Sequence, residues 1–220
     1  MNPFPEDVFT EPADVDPDTL ANLGPLRRLA GRWEGLHGLD INPKADGPER
    51  REFIEHIDFE PIDPQANGPQ LFYGLRYHIR ITTREEDITF HEQTGHWLYE
   101  PATGLILQSL SIPRGQTALA AGHAREGDDT LTLTAKRGET GYGICSTAFL
   151  EYAFRTDSYV IALTFEGEDA FSYDIRTMLL VHGRTEPFEH HDRNRLRRVG
   201  GPQPNPLMRI LGRRKADHPA

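Results

Sequence analysis

Cysteine is nearly missing from this chain: of 220 residues only Cys145 is one. No intrachain disulfide and no cysteine-built zinc site can form, and a reducing cytoplasm is the simplest setting. Long apolar runs are also missing; none approaches the roughly 18 residues that a spanning helix needs. The opening MNPFPEDVFTEPADVDPDTL lacks the basic start and apolar stretch of a secretory signal. Positive charge is scarce, since 24 Lys and Arg face 34 Asp and Glu for a formal net charge of −10. Nucleic acid is thereby excluded as a general partner, because phosphates demand a positive face. The sequence has no His-Glu-x-x-His, no Cys-x-x-Cys and no Gly-x-Ser-x-Gly, so zincin, thiol-redox and serine-hydrolase readings have no support. Gly141-Tyr142-Gly143 lacks a phosphate-loop lysine and reads as a loop, with Cys145 a small buried loop residue. No internal repeat is present. Helix patterning is confined to Thr19–Leu29, where Gly24-Pro25 interrupts it.

What is present is strand after strand. Leu71, Tyr73, Leu75, Tyr77, Ile79 and Ile81 alternate with Phe72, Gly74, Arg76, His78 and Arg80. Phe171, Tyr173, Ile175, Thr177, Leu179 and Val181 alternate with Ser172, Asp174, Arg176 and His182. Phe53, Ile57 and Phe59 alternate with His56, Asp58 and Glu60. This is the period of two that marks a half-buried strand. Further β-rich runs are ITFHEQTGHWLYE, LILQSLSI, TALAAGHA, TLTLTA, LEYAFRT and YVIALTF, separated by turn signals such as Pro113-Arg114-Gly115. About ten strands with short connectors predict an all-β fold. Sequential hairpins favour a closed antiparallel up-and-down barrel of calycin or lipocalin type, because closure removes exposed edges. Such a barrel has room for side chains and one small ligand. Three regions follow from composition: residues 1–24, an acidic Pro-rich arm; residues 25–199, the ligand-binding barrel; and residues 200–220, a flexible basic tail that opens with the breaker run GGPQPNP.

Three segments carry a resemblance. The first strand opens Gly31-Arg32-Trp33-Glu34-Gly35-Leu36-His37-Gly38. A second segment runs Phe90-His91-Glu92-Gln93-Thr94-Gly95-His96-Trp97, and a third runs from Phe188 through His190, His191 and Asp192 to Val199. Together, in this order, they resemble the nitrobindin-type heme-binding β-barrel family, which is similar in shape to fatty-acid-binding proteins. The resemblance covers about Pro25 to Val199. It implies a tryptophan, Trp33, plugging one barrel end beside Gly31 and Gly35; the family's last glycine position holds His37 here. It also implies heme b, held through one histidine of the last strand: His190, with its neighbour His191 as the next choice. The family's chemistry is nitric oxide binding at ferric heme and isomerisation of peroxynitrite to nitrate.

Strand alternation tests which histidines can serve. Phe188, His190 and Leu196 share one parity, with Asp192 and Asn194; His191 shares the other with Glu189, Arg193, Arg195 and Arg197, which belong in water. His190 is therefore expected to point inward and His191 outward. A neutral imidazole is a good axial ligand for heme iron. The competing reading of His190 is a core histidine bonded to Asp192. His91 and His96 have opposite parity, so one of them faces inward, without a clean apolar face to say which. The alternative function is a carrier of a hydrophobic small molecule such as a fatty acid, for which Tyr73, Tyr77 and Tyr173 are the inward polar candidates. A second copy of the chain is the remaining candidate partner.

Overall fold

The computed structural model describes residues 5–217, with the side chains of the last helix described through Arg213. More than half of the described residues lie in strands, and eleven strands close a mostly antiparallel barrel. The long strands are β1 (Gly31–Lys44), β2 (Gly47–Pro61), β4 (Gln70–Thr82), β5 (Thr89–Glu100), β6 (Leu105–Ile112), β7 (Gln116–His123), β8 (Thr130–Arg137), β10 (Phe154–Phe165), β11 (Ala170–Val181) and β12 (Phe188–Gly200). Each pairs with its sequence neighbour wherever a short turn joins them. β12 then returns to lie beside β1, and β2 pairs with β4 to complete the ring. The expected up-and-down closure is present. The eleventh strand of the wall is short: β9 (Gly143–Ser146) wedges between β7 and β8, parallel to β8, while β3 (Gln65–Asn67) pairs only with β4, outside the ring. The segment read as a loop around Gly143 is thus a strand, and Cys145 on it is exposed rather than buried.

One end of the barrel is plugged by apolar residues. Helix α1 (Thr19–Asn22) is capped by the Asp18 carboxylate, which accepts from the Ala21 amide. A 3-10 turn over Gly24–Leu29 follows. Gly24 sits at φ +51°, and a Cβ there would stand 2.4 Å from the Tyr99 ring, so the Gly-Pro break lets the chain fold onto the barrel end. Leu23, Leu26 and Leu29 are thereby fully buried against Trp33, Phe171 and Leu196. The Trp33 indole donates to the Leu29 carbonyl at 2.7 Å and meets Phe171 edge-on with centroids 4.7 Å apart. The guanidinium of Arg198 covers its ring at 4.3 Å. The tryptophan plug expected from the first-strand motif is in place.

The flanking segments depart from their compositional reading. Asn205 is fully buried. Its side chain accepts from the Thr19 amide at 3.2 Å and donates to the Pro17 carbonyl at 3.0 Å and to Asp63 at 2.7 Å. It staples the N-terminal arm and the C-terminal segment to the β2–β3 connection. Asp63 also accepts from the Leu207 amide at 2.8 Å, and helix α3 (Pro206–Asp217) starts there. The tail expected to be flexible is therefore helical over these residues, because a distant carboxylate supplies its first-turn acceptor. Residues 1–4 and 218–220 of the expected arm and tail lie outside the described residues. A further correction concerns the run LEYAFRT. Its first part belongs to helix α2 (Ala148–Ala153), started by Thr147, whose hydroxyl accepts from the Leu150 amide, and only from Phe154 does it become strand.

One irregularity positions the interior chemistry. Along β1, Gly35 pairs with Glu55 but Gly38 pairs with Phe53, so β1 carries one residue more than β2 across this stretch. The β1–β12 ladder slips by the same amount, from Glu34↔Arg197 to Leu39↔Arg193. This bulge inverts the alternation. Gly31, Trp33 and Gly35 face the interior before it; Gly38 and Asp40 face the interior after it, while Leu36 and His37 are left outside. Gly38, one residue beyond the motif position that His37 holds, thereby faces the interior, where a Cβ would collide with the Phe53 ring.

Candidate functional site

Away from the plug, the interior turns polar. Glu55 on β2 is only 1% exposed. Its Oε2 accepts from the Tyr173 hydroxyl at 2.8 Å and from Asn194 Nδ2 at 2.9 Å, which ties β2 to β11 and β12. Burial pushes its carboxyl up to about 7 against these two donors, and Asp192 adds to the rise. A second chain of bonds crosses nearby. Gln93 Nε2 donates to the Tyr77 hydroxyl at 2.6 Å, and the Tyr159 hydroxyl donates to Gln108 at 3.0 Å. Burial holds the Tyr159 and Tyr173 hydroxyls well above the usual phenol range, so both stay protonated donors.

Beyond this layer, at the end opposite the plug, lies His190. Its ring faces the interior, as alternation predicts, and its side chain is 28% exposed, so it stands in an open mouth. Nε2 is 2.9 Å from Asp40 Oδ1 and 3.4 Å from Asp192 Oδ2. Asp40 arrives from the β1 strand directly opposite Asp192 on β12. Its other oxygen accepts from Asn42 Nδ2 at 2.7 Å, which fixes the carboxylate with Oδ1 turned toward the ring. Burial works against the charged imidazole, but the bonds and charges of Asp192 and Asp40 outweigh it and push His190 up to about 10. Asp40 is itself held below the usual carboxylate range: burial raises it, and His190, Asn42 and Arg51 more than reverse that. His91 on β5 completes the mouth. It shares the inward parity of Gln93 and Trp97, and burial lowers its imidazole while the charge of Asp192 opposes the fall. Arg51 lies over the Phe90 ring at 5.1 Å, at the rim.

The remaining expected residues lie elsewhere. His191 is on the outer wall, with Nε2 2.7 Å from Asp174 Oδ2. His96 and His78 also face outward, the latter bonded to Glu92 at 2.7 Å. Gly31 and Trp33 sit at the plugged end, so His190 and Trp33 are not brought together. Seven residues separate Trp33 from Asp40, or roughly 23 Å of strand. Gly35 lies between, under Asn194. Three interior acids, Asp40, Glu55 and Asn194's neighbour Asp192, make the mouth and its floor chemically distinctive, and the first two escaped the sequence reading. Glu55 had a signal: it occupies the apolar phase of Phe53, Ile57 and Phe59. Asp40 had none, because the bulge that turns it inward leaves no trace in alternation.

A barrel plugged by a tryptophan at one end, with an imidazole and carboxylates in the other, has the architecture of the calycin-type ligand-binding barrels. The chain belongs to the THAP4-like, heme-binding beta-barrel domain family, whose model matches residues 22–198. Among solved structures it is similar in fold to Rv2717c from M. tuberculosis, at 20% identity and a TM-score of 0.60, over 84% of this chain and 99% of that one. No curated protein matches it. Among the described residues no helix is long and apolar enough to cross a membrane.

The residues at the mouth fit the group that this family binds. His190 fits an iron ligand by position: it is one inward imidazole, in a solvent-open mouth, with a second imidazole, His91, facing the same space. The rim cation Arg51 suits the carboxylates that heme carries. The one adjustment concerns Nε2, the ring atom that reaches furthest from the backbone. Asp40 and Asp192 share it, so a bound iron would take the place of the proton held there.

Proposed function

We propose that this chain binds heme b in the open mouth of the barrel, with His190 as the iron ligand. The observation that carries the reading is the inward, solvent-reached imidazole of His190 in a barrel of a heme-binding family. His191, bonded to Asp174 on the outer wall, is not placed to take that role. Heme bound there would supply a ferric iron that binds nitric oxide and isomerises peroxynitrite to nitrate. The chain's own residues hold and orient: His190 ligates, Asn42 and Asp40 steer the ring, and the hydrogen-bonded layer of Glu55, Tyr173 and Asn194 forms a floor that keeps the ligand at the mouth. His91 is the interior group available on the open side.

The interior charge argues against a fatty-acid carrier. Such a carrier fixes a carboxylate with a free inward cation, whereas the His190 imidazole in this mouth is already paired with Asp40 and Asp192. Like charges repel more strongly out of water.

The test is a hemin titration. Purified protein is expected to give a sharp Soret band that saturates at one hemin per chain. His190→Ala loses it, because one axial bond supplies the specific attachment, and His191→Ala keeps it. Nitric oxide then shifts the ferric spectrum, and peroxynitrite decay quickens only with heme present, since the cofactor carries that chemistry. Failure of the wild-type protein to bind hemin sinks the reading.

A further inference from the structure

We infer that, in the heme-free protein, Asp40, His190 and Asp192 form a binding site for a bare first-row divalent cation such as Zn²⁺. The inference does not depend on heme binding; it shares His190 with that reading, so the two ligands exclude each other.

Three observations support it. First, one nitrogen and two carboxylate oxygens, each from a different side chain, lie within 4.8 Å of one another. Ligands placed about 2.1 Å from an ion stand about 3.0 Å apart at a right angle and about 3.4 Å apart in a tetrahedron. The separations from Nε2, 2.9 Å to Asp40 and 3.4 Å to Asp192, fall on those values. The second contact is long for a hydrogen bond, so a shared proton accounts for one carboxylate better than for two. Second, the set is built rather than gathered at the surface. Asp40 is 7% exposed, turned inward by the β1 bulge and held by Asn42, the kind of outer partner that orients a ligating carboxylate. Asp40 and Asp192 are direct cross-strand partners, so the barrel wall fixes their spacing. Third, the His190 and Asp192 side chains are 28% and 23% exposed, so water reaches them to complete the coordination, as it does at sites with three protein ligands.

The donor types select the ion. Two hard oxygens would suit Mg²⁺ or Ca²⁺, but the imidazole favours the later first-row ions. On binding, the ion replaces the proton on His190 Nε2, and that proton leaves to solvent. No net redox change is involved.

The experiment uses the full chain, freed of metal with a chelator, and follows Zn²⁺ binding by calorimetry, thermal melting and competition with Co²⁺, whose visible spectrum reports the ligand set. One Zn²⁺ per chain is expected, with a raised melting temperature and little response to Mg²⁺. Asp192→Asn and Asp40→Asn, both nearly isosteric, should each weaken that binding at least tenfold while retaining a native circular dichroism spectrum; His191→Ala should not. Zn²⁺ bound as tightly by both Asn variants would place the ion elsewhere and overturn the inference, as would a wild-type chain with no one-to-one Zn²⁺ binding. Hemin titration of the same preparations separates the two readings. Zn²⁺ bound with no hemin response leaves the cation site standing and removes heme. Hemin bound with no Zn²⁺ response does the reverse.

Discussion

The amide of Asn194 occupies the space that a side chain at Gly35 would fill: a Cβ on residue 35 would stand 2.3 Å from Asn194 Nδ2. Gly35 is thus glycine because β12 reaches across it to bring a donor to Glu55.

Gly35→Ala should push Asn194 off Glu55 and leave a buried carboxyl with one donor instead of two. Overpacking plus a lost buried bond predicts a loss of about 2 to 4 kcal/mol in chemical denaturation. Gly141→Ala, with nothing within 4 Å of its Cβ, should stay close to wild type. Equal behaviour of the two variants would refute the packing argument.

Glu55 makes stability depend on pH in a definite direction. Its folded value of about 7 lies above the ordinary 4.5, so between these the folded chain keeps a proton that the unfolded chain releases. Stability therefore falls as pH rises from about 4.5 through 7, by roughly 3 kcal/mol in all. Glu55→Gln removes this dependence. The advantage of wild type over the variant should shrink between pH 5 and pH 8 when both are followed by urea denaturation. A constant difference would mean that Glu55 ionises normally.

His190 acts over a higher range and in the same direction. Its folded value of about 10 exceeds the ordinary 6.5, so the metal-free and heme-free protein gains stability from the charged ring, fully below pH 6.5. That gain disappears as pH climbs through about 10, and is on the order of a few kcal/mol. His190→Ala should cost most near pH 6 and least near pH 10. NMR titration of the ring gives a direct reading, and a normal value near 6.5 would contradict the pairing with Asp40 and Asp192.

Asn205 makes the two flanks part of the fold. Composition alone presents residues 1–18 and 202–220 as dispensable, yet ending the chain at Gly201 removes three bonds to Thr19, Pro17 and Asp63. Asn205→Ala should cost about 2 to 4 kcal/mol, because it strands buried partners. Ending the chain at Gly212 should leave the staple intact and cost little. Melting curves of the three variants decide the point.

Much of the architecture was legible because it rests on local periodicity. Alternation in β4 and β11 marked both as half-buried strands, and parity alone separated His190 from His191 on β12. The resemblance carried by Trp33 and its flanking glycines implied the plug. The site was legible only in its histidine. His91 and His96 could not be ranked, because neither face of β5 is apolar where it passes the polar layer of Tyr77, Gln93 and Gln108. Asp40 could not be placed, since a single extra residue at the bulge reverses every later side chain of β1.

By itself the sequence determined an all-β barrel and the inward direction of His190, because each depends on a period of two that neighbouring residues display together; the tryptophan-plugged end came from the resemblance of the first strand. Only the tertiary structure decided that Asp40 and Asp192 meet on the Nε2 of His190, that Glu55 is buried beneath Tyr173 and Asn194, and that Asn205 joins the flanks. Those contacts span 118 to 188 residues of chain in all but the Asp192 pair. They arise where β12 closes on β1 and the flanks fold back, and no local pattern encodes a register set by ring closure.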